Sequence, residues 1–373
     1  MNIAFFHELP DGGARNATLK MASLLKTLGH NVDLYYVAEK KDKIDSDNLN
    51  NVFFYEFKPK AWRGNNWAIR IYKDTLELVN LYKLDRKIAN DINFKKYDMV
   101  VVNASQFIEA PFILRFIKTS KIFYAHDPNY RIIYEKLLDV PQSLGFIKYS
   151  YEKLNRFFRK IFDISNISKA DLILANSKFA KDTIFKTYNL KSTVSYLGVD
   201  PDIFKPQDLD KEIDILFVGS HDPIDGFQLL SDAVKIVDRK LNIASVPGKN
   251  NMTLSLGQMA VLYQKSKIVV CLAVNEPFGL VPLEAMSCKV PVIAVNEGGY
   301  IETVTNDKTG FLIKRDQKEL AKKIKLLLDS PKLALRLGEN GRNEVLTNWT
   351  WEKKCRGLEK ILLKVYGNIN NNR

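Results

Sequence analysis

Short apolar runs alternate along the chain with longer stretches of helical period. Ile3–Phe6, Val32–Val37, Val52–Phe57, Met99–Val102, Ile122–Ala125 and Leu172–Ala175 are dominated by apolar residues, as strands buried on both faces are. Amphipathic stretches such as 19–28 and 179–188 lie between several of them. After Pro201 the pattern restarts with Ile213–Val218, Leu241–Ala244, Ile268–Leu272, Val290–Val295 and Gly310–Ile313. Strands alternating with helices predict parallel sheets covered by helices on both faces. Two such series predict an α/β chain of two doubly wound domains, with ligands bound beyond the carboxyl ends of the strands, in a cleft between them. Turn formers at 196–206 mark the boundary, giving an N-terminal domain 1–198 and a C-terminal domain 199–348. A helix fills the tail 349–373, where Trp351, Leu358, Ile361, Leu362 and Val365 form an apolar face.

Length and charge sharpen this picture only a little. A chain of 373 residues exceeds what one hydrophobic core usually supports, in keeping with two domains. The net charge of +13 leaves nucleic acid, anionic membrane and phosphorylated small molecules open as partners. No motif supports nucleic acid, and none is expected. Cys271, Cys288 and Cys355 are few and far apart, which fits reduced thiols and a cytoplasmic protein. No run of ~18 residues escapes charge, so no membrane-spanning helix is expected, and the first residues have neither the basic start nor the apolar length of a signal peptide.

Candidate chemistry gathers after particular strands. The first strand runs into His-Glu-Leu-Pro-Asp-Gly12-Gly13-Ala-Arg15. The two glycines let backbone approach a ligand, and the helix start offers N–H groups to an anion. The third glycine of a dinucleotide fingerprint is missing, so a plain strand-to-helix turn stays open. After the strand 268–272 comes Asn-Glu276-Pro-Phe278-Gly279-Leu280-Val-Pro-Leu-Glu284. Pro282 suits a first helical turn. Glu284, expected in that turn, can accept hydrogen bonds from neighbouring ribose hydroxyls, and Glu276 from a sugar ring. The Gly298–Gly299 pair opens another helix and can present further backbone donors. His126 and Asp127 follow the strand 122–125, where a capping role is the alternative reading. The pair Asp45 and Asp47 has the spacing of a metal-binding motif but lies in a polar, charged stretch that reads as a solvated loop.

The block Glu276 to Glu284, with Pro291-Val-Ile-Ala, Gly298-Gly299, Glu302 and Gly310-Phe-Leu, resembles the retaining glycosyltransferases of family four. The resemblance extends to Gly12-Gly13, Gly29-His30, Asn176-Ser177, Tyr196-Leu-Gly-Val-Asp200 and the Trp351 helix. It implies two Rossmann-like domains facing a cleft, the GT-B fold, with the last helix crossing back to the first domain. It also implies transfer with retained configuration from a nucleotide-sugar donor, a UDP- or GDP-sugar, to a glycan or lipid-linked acceptor, with no metal and no cofactor. By position, Glu284 would bind the donor ribose, and Glu276, Phe278, Gly279 and Leu280 the donor sugar and diphosphate. Gly13 would approach the diphosphate from the other domain. His126 would hydrogen-bond the transferred sugar and steady the positive charge developing on its ring.

One loop departs from the family. Where members carry Arg and Lys around the diphosphate, this chain has Ser220 and Asp225. Loss of those cations removes charge stabilisation, usually the largest catalytic contribution. Arg15, His221 and Lys249 are possible substitutes, and Arg15 is favoured because a guanidinium can hold phosphate in bidentate fashion. The rival reading is a non-catalytic sugar-nucleotide-binding subunit. Only about two dozen residues separate the strands at 241–244 and 268–272, which predicts a reduced second sheet.

Two basic, aromatic stretches point to surfaces. Residues 57–73 hold five cations, Trp62 and Trp67. Residues 146–162 carry Ile147, Tyr151, Leu154, Phe158 and Ile161 among Lys148, Lys153, Arg156, Arg159 and Lys160. Both fit an element lying on an anionic membrane, at the inner face, or a helix whose apolar stripe packs on the sheet.

Overall fold

In the computed structural model, residues 1–41, 44, 48–61, 66–126, 145–237, 240–246 and 254–371 are described. Asp45, Asp47, Trp62, Asp127 and Lys249 lie outside them. The chain forms two compact units. The first comprises Met1–Ala175, Ile184–Val194 and Leu358–Arg373, and the second comprises Asn176–Thr183 and Ser195–Gly357.

The first unit holds a seven-stranded sheet: β1 (Asn2–Glu8), β2 (Asn31–Ala38), β3 (Asn51–Glu56), β4 (Met99–Ser105), β5 (Ser120–Ala125), β6 (Leu172–Ala175) and β7 (Thr193–Val194). Their order is β3-β2-β1-β4-β5-β6-β7, and every pairing is parallel. Helices cover a sheet of this kind on both faces, which is why β4 is buried along its whole length and β1 everywhere but Asn2. The chain winds one way through β1, β2 and β3, then returns to place β4 beside β1. That reversal is the point where such sheets bind ligands.

The second unit repeats the plan with five parallel strands: β8 (Ile213–Val218), β9 (Ile243–Val246), β10 (Ser266–Cys271), β11 (Val292–Val295) and β12 (Gly310–Ile313). The order β12-β11-β10-β8-β9 puts its reversal between β10 and β8. Among the described residues, one helix, Leu256–Gln264, lies between β9 and β10. β9 starts two residues later than the apolar run 241–244 suggests. Leu241 lies outside the strand, and the register instead pairs Ile243 with Ile215.

The remaining motifs are close-packing devices. Gly198 faces the backbone of Trp351, where a Cβ would stand 2.7 Å from its Cα. The Val199 N–H donates to Trp349 O at 2.8 Å, and the Trp351 N–H to Val199 O at 3.2 Å. Within the first unit, His30 Nε2 lies 2.9 Å from Glu359 on the tail helix Trp351–Asn371. No helix among the described residues is long and apolar enough to cross a membrane.

Candidate active site

In the second unit the candidate residues follow the carboxyl ends of β8 and β10. The loop leaving β10 is tied down from several sides. Arg315 donates to Leu272 O (2.8 Å) and Ala273 O (3.3 Å) and pairs with Glu297. The Val274 N–H donates to Ile224 O at 2.7 Å, and the Ser177 hydroxyl to Pro277 O at 2.5 Å. Asn275 and Gly279 turn the chain through left-handed φ of 49° and 93°. These tethers fix where Glu276 and the start of helix Leu280–Ser287 point, and no side chain caps that helix start. A helix start left without a side-chain cap can offer its first N–H groups to an anion.

Phe278 turns its ring into the core beside Tyr196 and Trp349, with centroids 6.2 and 5.8 Å away, which leaves its backbone as the part that can meet a ligand. Two expectations change here. The Gly299 N–H does not serve a ligand, because it donates to Glu276 O at 2.6 Å. Gly298, at φ +62°, leaves a Cβ no room: it would stand 2.5 Å from Glu276 O and 2.8 Å from Glu276 N. The glycine pair thus positions the Glu276 backbone from behind. Gly298→Ala is expected to destabilise the second unit by about 2–4 kcal/mol and to weaken nucleotide binding. Denaturant unfolding with nucleotide titration checks this, and unchanged values for both would remove the positioning role.

Glu284 lies beyond the first turn of its helix, which contains no acid. It is half-buried, and its Oε2 accepts the Tyr263 hydroxyl at 2.7 Å. Burial of the carboxyl pushes its pKa up to about 7, while the Tyr263 hydrogen bond works the other way. A carboxylate so placed gains from additional hydroxyl donors. Glu302 plays a different part. It accepts from the Lys178 and Phe179 N–H groups (3.1 and 3.0 Å) and from Tyr196 OH (2.8 Å), so it caps the helix Lys178–Tyr188.

The loop after β8 shows how the missing cations are replaced locally. Asp225 Oδ2 accepts the Ser220 N–H at 2.7 Å and the Ser220 hydroxyl at 2.5 Å, while Ser220 Oγ accepts the Asp222 N–H at 3.2 Å. Ser220 and Asp225 close the loop on each other, and neither supplies positive charge. His221 stacks on Phe227 with centroids 4.0 Å apart.

The first unit gathers a separate polar cluster at the ends of β1, β4 and β5. Asn103 donates from Nδ2 to Phe6 O at 3.1 Å, which turns its Oδ1 toward His126 Nε2 (3.0 Å) and the Thr18 hydroxyl (3.0 Å). An acceptor facing Nε2 assigns the proton to Nε2, leaving His126 Nδ1 as a lone-pair acceptor without a partner among the described residues. The ring stacks on Tyr124 at 4.5 Å, and burial lowers its pKa to about 3, so it is neutral at physiological pH. His7 accepts the Leu9 N–H on Nδ1 at 3.3 Å. Its pKa also falls to about 3, from burial first and then from Arg15 and His126 beside it. Arg15 sits in the first turn of helix Gly13–Thr27 and pairs with Asp11. Gly12, at φ +150°, precedes this helix with open space where a Cβ would be.

The sequence reading missed Tyr263, Arg315, Thr18, Asn103 and His7. Asn103 and His7 carried a usable signal, since each is a polar residue near the carboxyl end of an apolar strand run. Thr18, Tyr263 and Arg315 carried none, because their partners are distant in sequence.

Known structures share this architecture. Sucrose-phosphate synthase from Thermosynechococcus elongatus superposes with a TM-score of 0.71 at 18% identity, over 98% of this chain and 99% of that one. Anabaena HepE in complex with UDP-glucose gives a TM-score of 0.67 at 14% identity, over 98% and 100%. The two Rossmann-like units with their parallel sheets are those of a GT-B glycosyltransferase. The profile described as Glycosyltransferase Family 4 matches residues 11–203, and the profile described as Glycosyl transferases group 1 matches residues 246–344, so the chain belongs to glycosyltransferase family 4. An uncharacterised glycosyltransferase of Methanocaldococcus jannaschii is 31% identical over 52% of this chain and 60% of its own length. The alpha-1,3/1,6-mannosyltransferase of Dictyostelium discoideum is 22% identical over 98% of both.

Proposed function

We propose that this glycosyltransferase acts with retention and without metal, moving a sugar from a nucleotide-sugar donor to a glycan or lipid-linked acceptor. The reading rests above all on Glu284, a carboxylate held by Tyr263 on the helix that follows β10. It would take the donor ribose hydroxyls, with Glu276 on the sugar and the backbone of Gly279 and Leu280 on the diphosphate. A relative that acts as a mannosyltransferase and a fold neighbour holding UDP-glucose support a UDP- or GDP-sugar. The neutral His126 suits a hydrogen bond to the transferred sugar: its Nδ1 accepts a hydroxyl and adds no charge against an oxocarbenium-like ring. The leaving phosphate takes the acceptor's proton on the same face.

Ser220 and Asp225 bring no cation to the diphosphate, so Arg15 is assigned that task. Arg15→Ala should lower turnover by roughly 10²-fold with nucleotide affinity changed much less, a size typical of one charge-stabilising donor. Equal turnover in a folded variant would return the phosphate role to another group. The exposed basic helix Phe146–Ile167 adds an anionic membrane surface, at the cytoplasmic face, as a partner of the first unit.

Calorimetric titration with UDP- and GDP-sugars, followed by donor hydrolysis with and without EDTA, tests the reading as a whole. Binding with slow hydrolysis that EDTA leaves unchanged is expected. Binding with neither hydrolysis nor transfer would favour a non-catalytic subunit, and hydrolysis abolished by EDTA would overturn the metal-free mechanism.

A further inference from the structure

A neutral imidazole can present either nitrogen as its acceptor, and the partner of one nitrogen decides which. For His126 that partner is Asn103, whose amide has one favoured orientation. Its Nδ2 donates to Phe6 O at 3.1 Å, on the neighbouring strand β1. Turning the amide over would lose that bond and set its oxygen against the carbonyl. Oδ1 is thereby left to face His126 Nε2 and the Thr18 hydroxyl, each at 3.0 Å. Its two lone pairs can take a proton from each. Thr18 stands on the helix Gly13–Thr27, with its hydroxyl 2.9 Å from Ala14 O and 3.4 Å from His126 Nε2. Asn103 and Thr18 are wholly buried, so water does not compete for these bonds.

The chemical kind of the partner matters as much as its place. A carboxylate facing Nε2 would favour the imidazolium ion, because opposite charge stabilises it. An amide oxygen accepts the same proton and orients the ring without charging it. Among the described residues no carboxylate hydrogen-bonds the ring, and burial holds its pKa at about 3. The surrounding groups do not reverse this. Tyr124 stacks on the ring from β5, and His7 on β1 is itself neutral. Arg15, paired with Asp11, adds positive charge beside His7.

We infer that Asn103 is a positioning residue: its amide fixes the Nε2–H tautomer of a neutral His126 and so makes Nδ1 the acceptor for a sugar hydroxyl. Thr18 braces the amide from the first helix. The inference rests on the sugar-binding role proposed for His126 and adds what makes that role chemically available. The other tautomer would offer a donor at Nδ1, and an imidazolium would set positive charge against the oxocarbenium-like ring.

The test reads the ring directly, in the full chain without donor, by proton–nitrogen correlation spectra of histidine-labelled protein. The chain has four histidines, and His126→Ala identifies the signal. The wild type should show the neutral Nε2–H form from pH 6 to 8. Asn103→Asp should convert His126 to the imidazolium at neutral pH, and Asn103→Ala should give a mixture of the two neutral tautomers. Donor hydrolysis at saturating UDP- or GDP-sugar is measured in parallel, as the ratio of variant to wild type, which cancels the titration of Glu284. For Asn103→Asp that ratio should fall roughly 10²-fold at pH 6 and recover as pH rises through the raised His126 pKa. A merely structural defect would lower it equally at every pH and overturn the inference. Melting curves show which variants are folded, and if Asn103→Asp does not fold, the tautomer mixture in Asn103→Ala carries the test. A wild-type ring protonated on Nδ1, or a ring left neutral and Nε2-protonated in both variants, would also overturn it. Ring states that follow Asn103, with hydrolysis unchanged in both variants and in His126→Ala, would instead remove His126 from the sugar, and the inference with it.

Discussion

Glu284→Ala should lower kcat/KM for sugar transfer by about 10²–10³-fold, because on the proposed reading it removes the acceptor of two ribose hydroxyls. Hydrogen bonds to a charged group are each worth about 1.5–3 kcal/mol. The variant also leaves the Tyr263 hydroxyl without the partner it now holds at 2.7 Å. Glu284→Gln separates charge from shape, since it keeps the volume and one acceptor. The pH dependence is the sharper signature. In the free protein the Glu284 pKa stands at about 7 against an ordinary 4.5, through burial. The folded state therefore holds its proton more tightly than the unfolded chain. The contribution is fully present below 4.5 and is lost as pH rises through about 7. Thermal unfolding should show greater stability toward pH 5 than at pH 8, by up to about 3 kcal/mol, and Glu284→Gln should flatten that slope. Binding runs in the opposite direction. Ribose hydroxyls stabilise the carboxylate, so nucleotide affinity should rise as pH passes through 7, with proton release. Wild-type affinity that is flat from pH 6 to 8 would remove Glu284 from the ribose.

Asp74→Ala is the second large effect, here on stability. Despite its burial, the bonds from Arg70 and Arg159 hold the Asp74 carboxyl below the usual range. Its contribution is thus present at neutral pH and is lost as pH falls through that lowered value. Removing it leaves two guanidinium groups and the Tyr151 hydroxyl facing a void in the joint between the π-helical turn Lys73–Glu77 and helix Phe146–Ile167. Deleting one partner of a buried ion pair costs about 3–5 kcal/mol. Because the effect belongs to the first unit, the melting temperature of that unit should drop by roughly 6–20 °C. Nucleotide binding read on the second unit should persist at low temperature. Asp74→Asn, which can still accept one bond, should recover part of the loss, and an unchanged melting temperature for Asp74→Ala would show that the joint contributes nothing.

The chain wrote its strands plainly, because in a parallel sheet both faces are covered and every strand position favours an apolar side chain. That is why the runs at 99–102 and 268–272 could be read directly, and why the turn residues after them could be placed at strand ends. The loop Glu276–Glu284 was legible for a related reason: it combines a left-handed glycine, a proline in a first turn and two acids within nine residues. What each of those groups does was not legible. Gly299 looked like a ligand donor and instead binds the Glu276 carbonyl, and Ser220 with Asp225 looked like a loss and became a closed pair.

Sequence by itself determined the two sheets, which follow from local period and spacing, while the family entered as a resemblance that the matching profiles bear out. Tertiary structure alone decided the partners: Tyr263 on Glu284, Asn103 on His126, Arg315 on the carbonyls of the loop leaving β10. It also decided that helix Phe146–Ile167 shows its apolar side. The physical reason is the same in each case. Periodicity records which residues share a face, whereas the side that is buried depends on hydrogen bonds to residues tens of positions away, which no local pattern encodes.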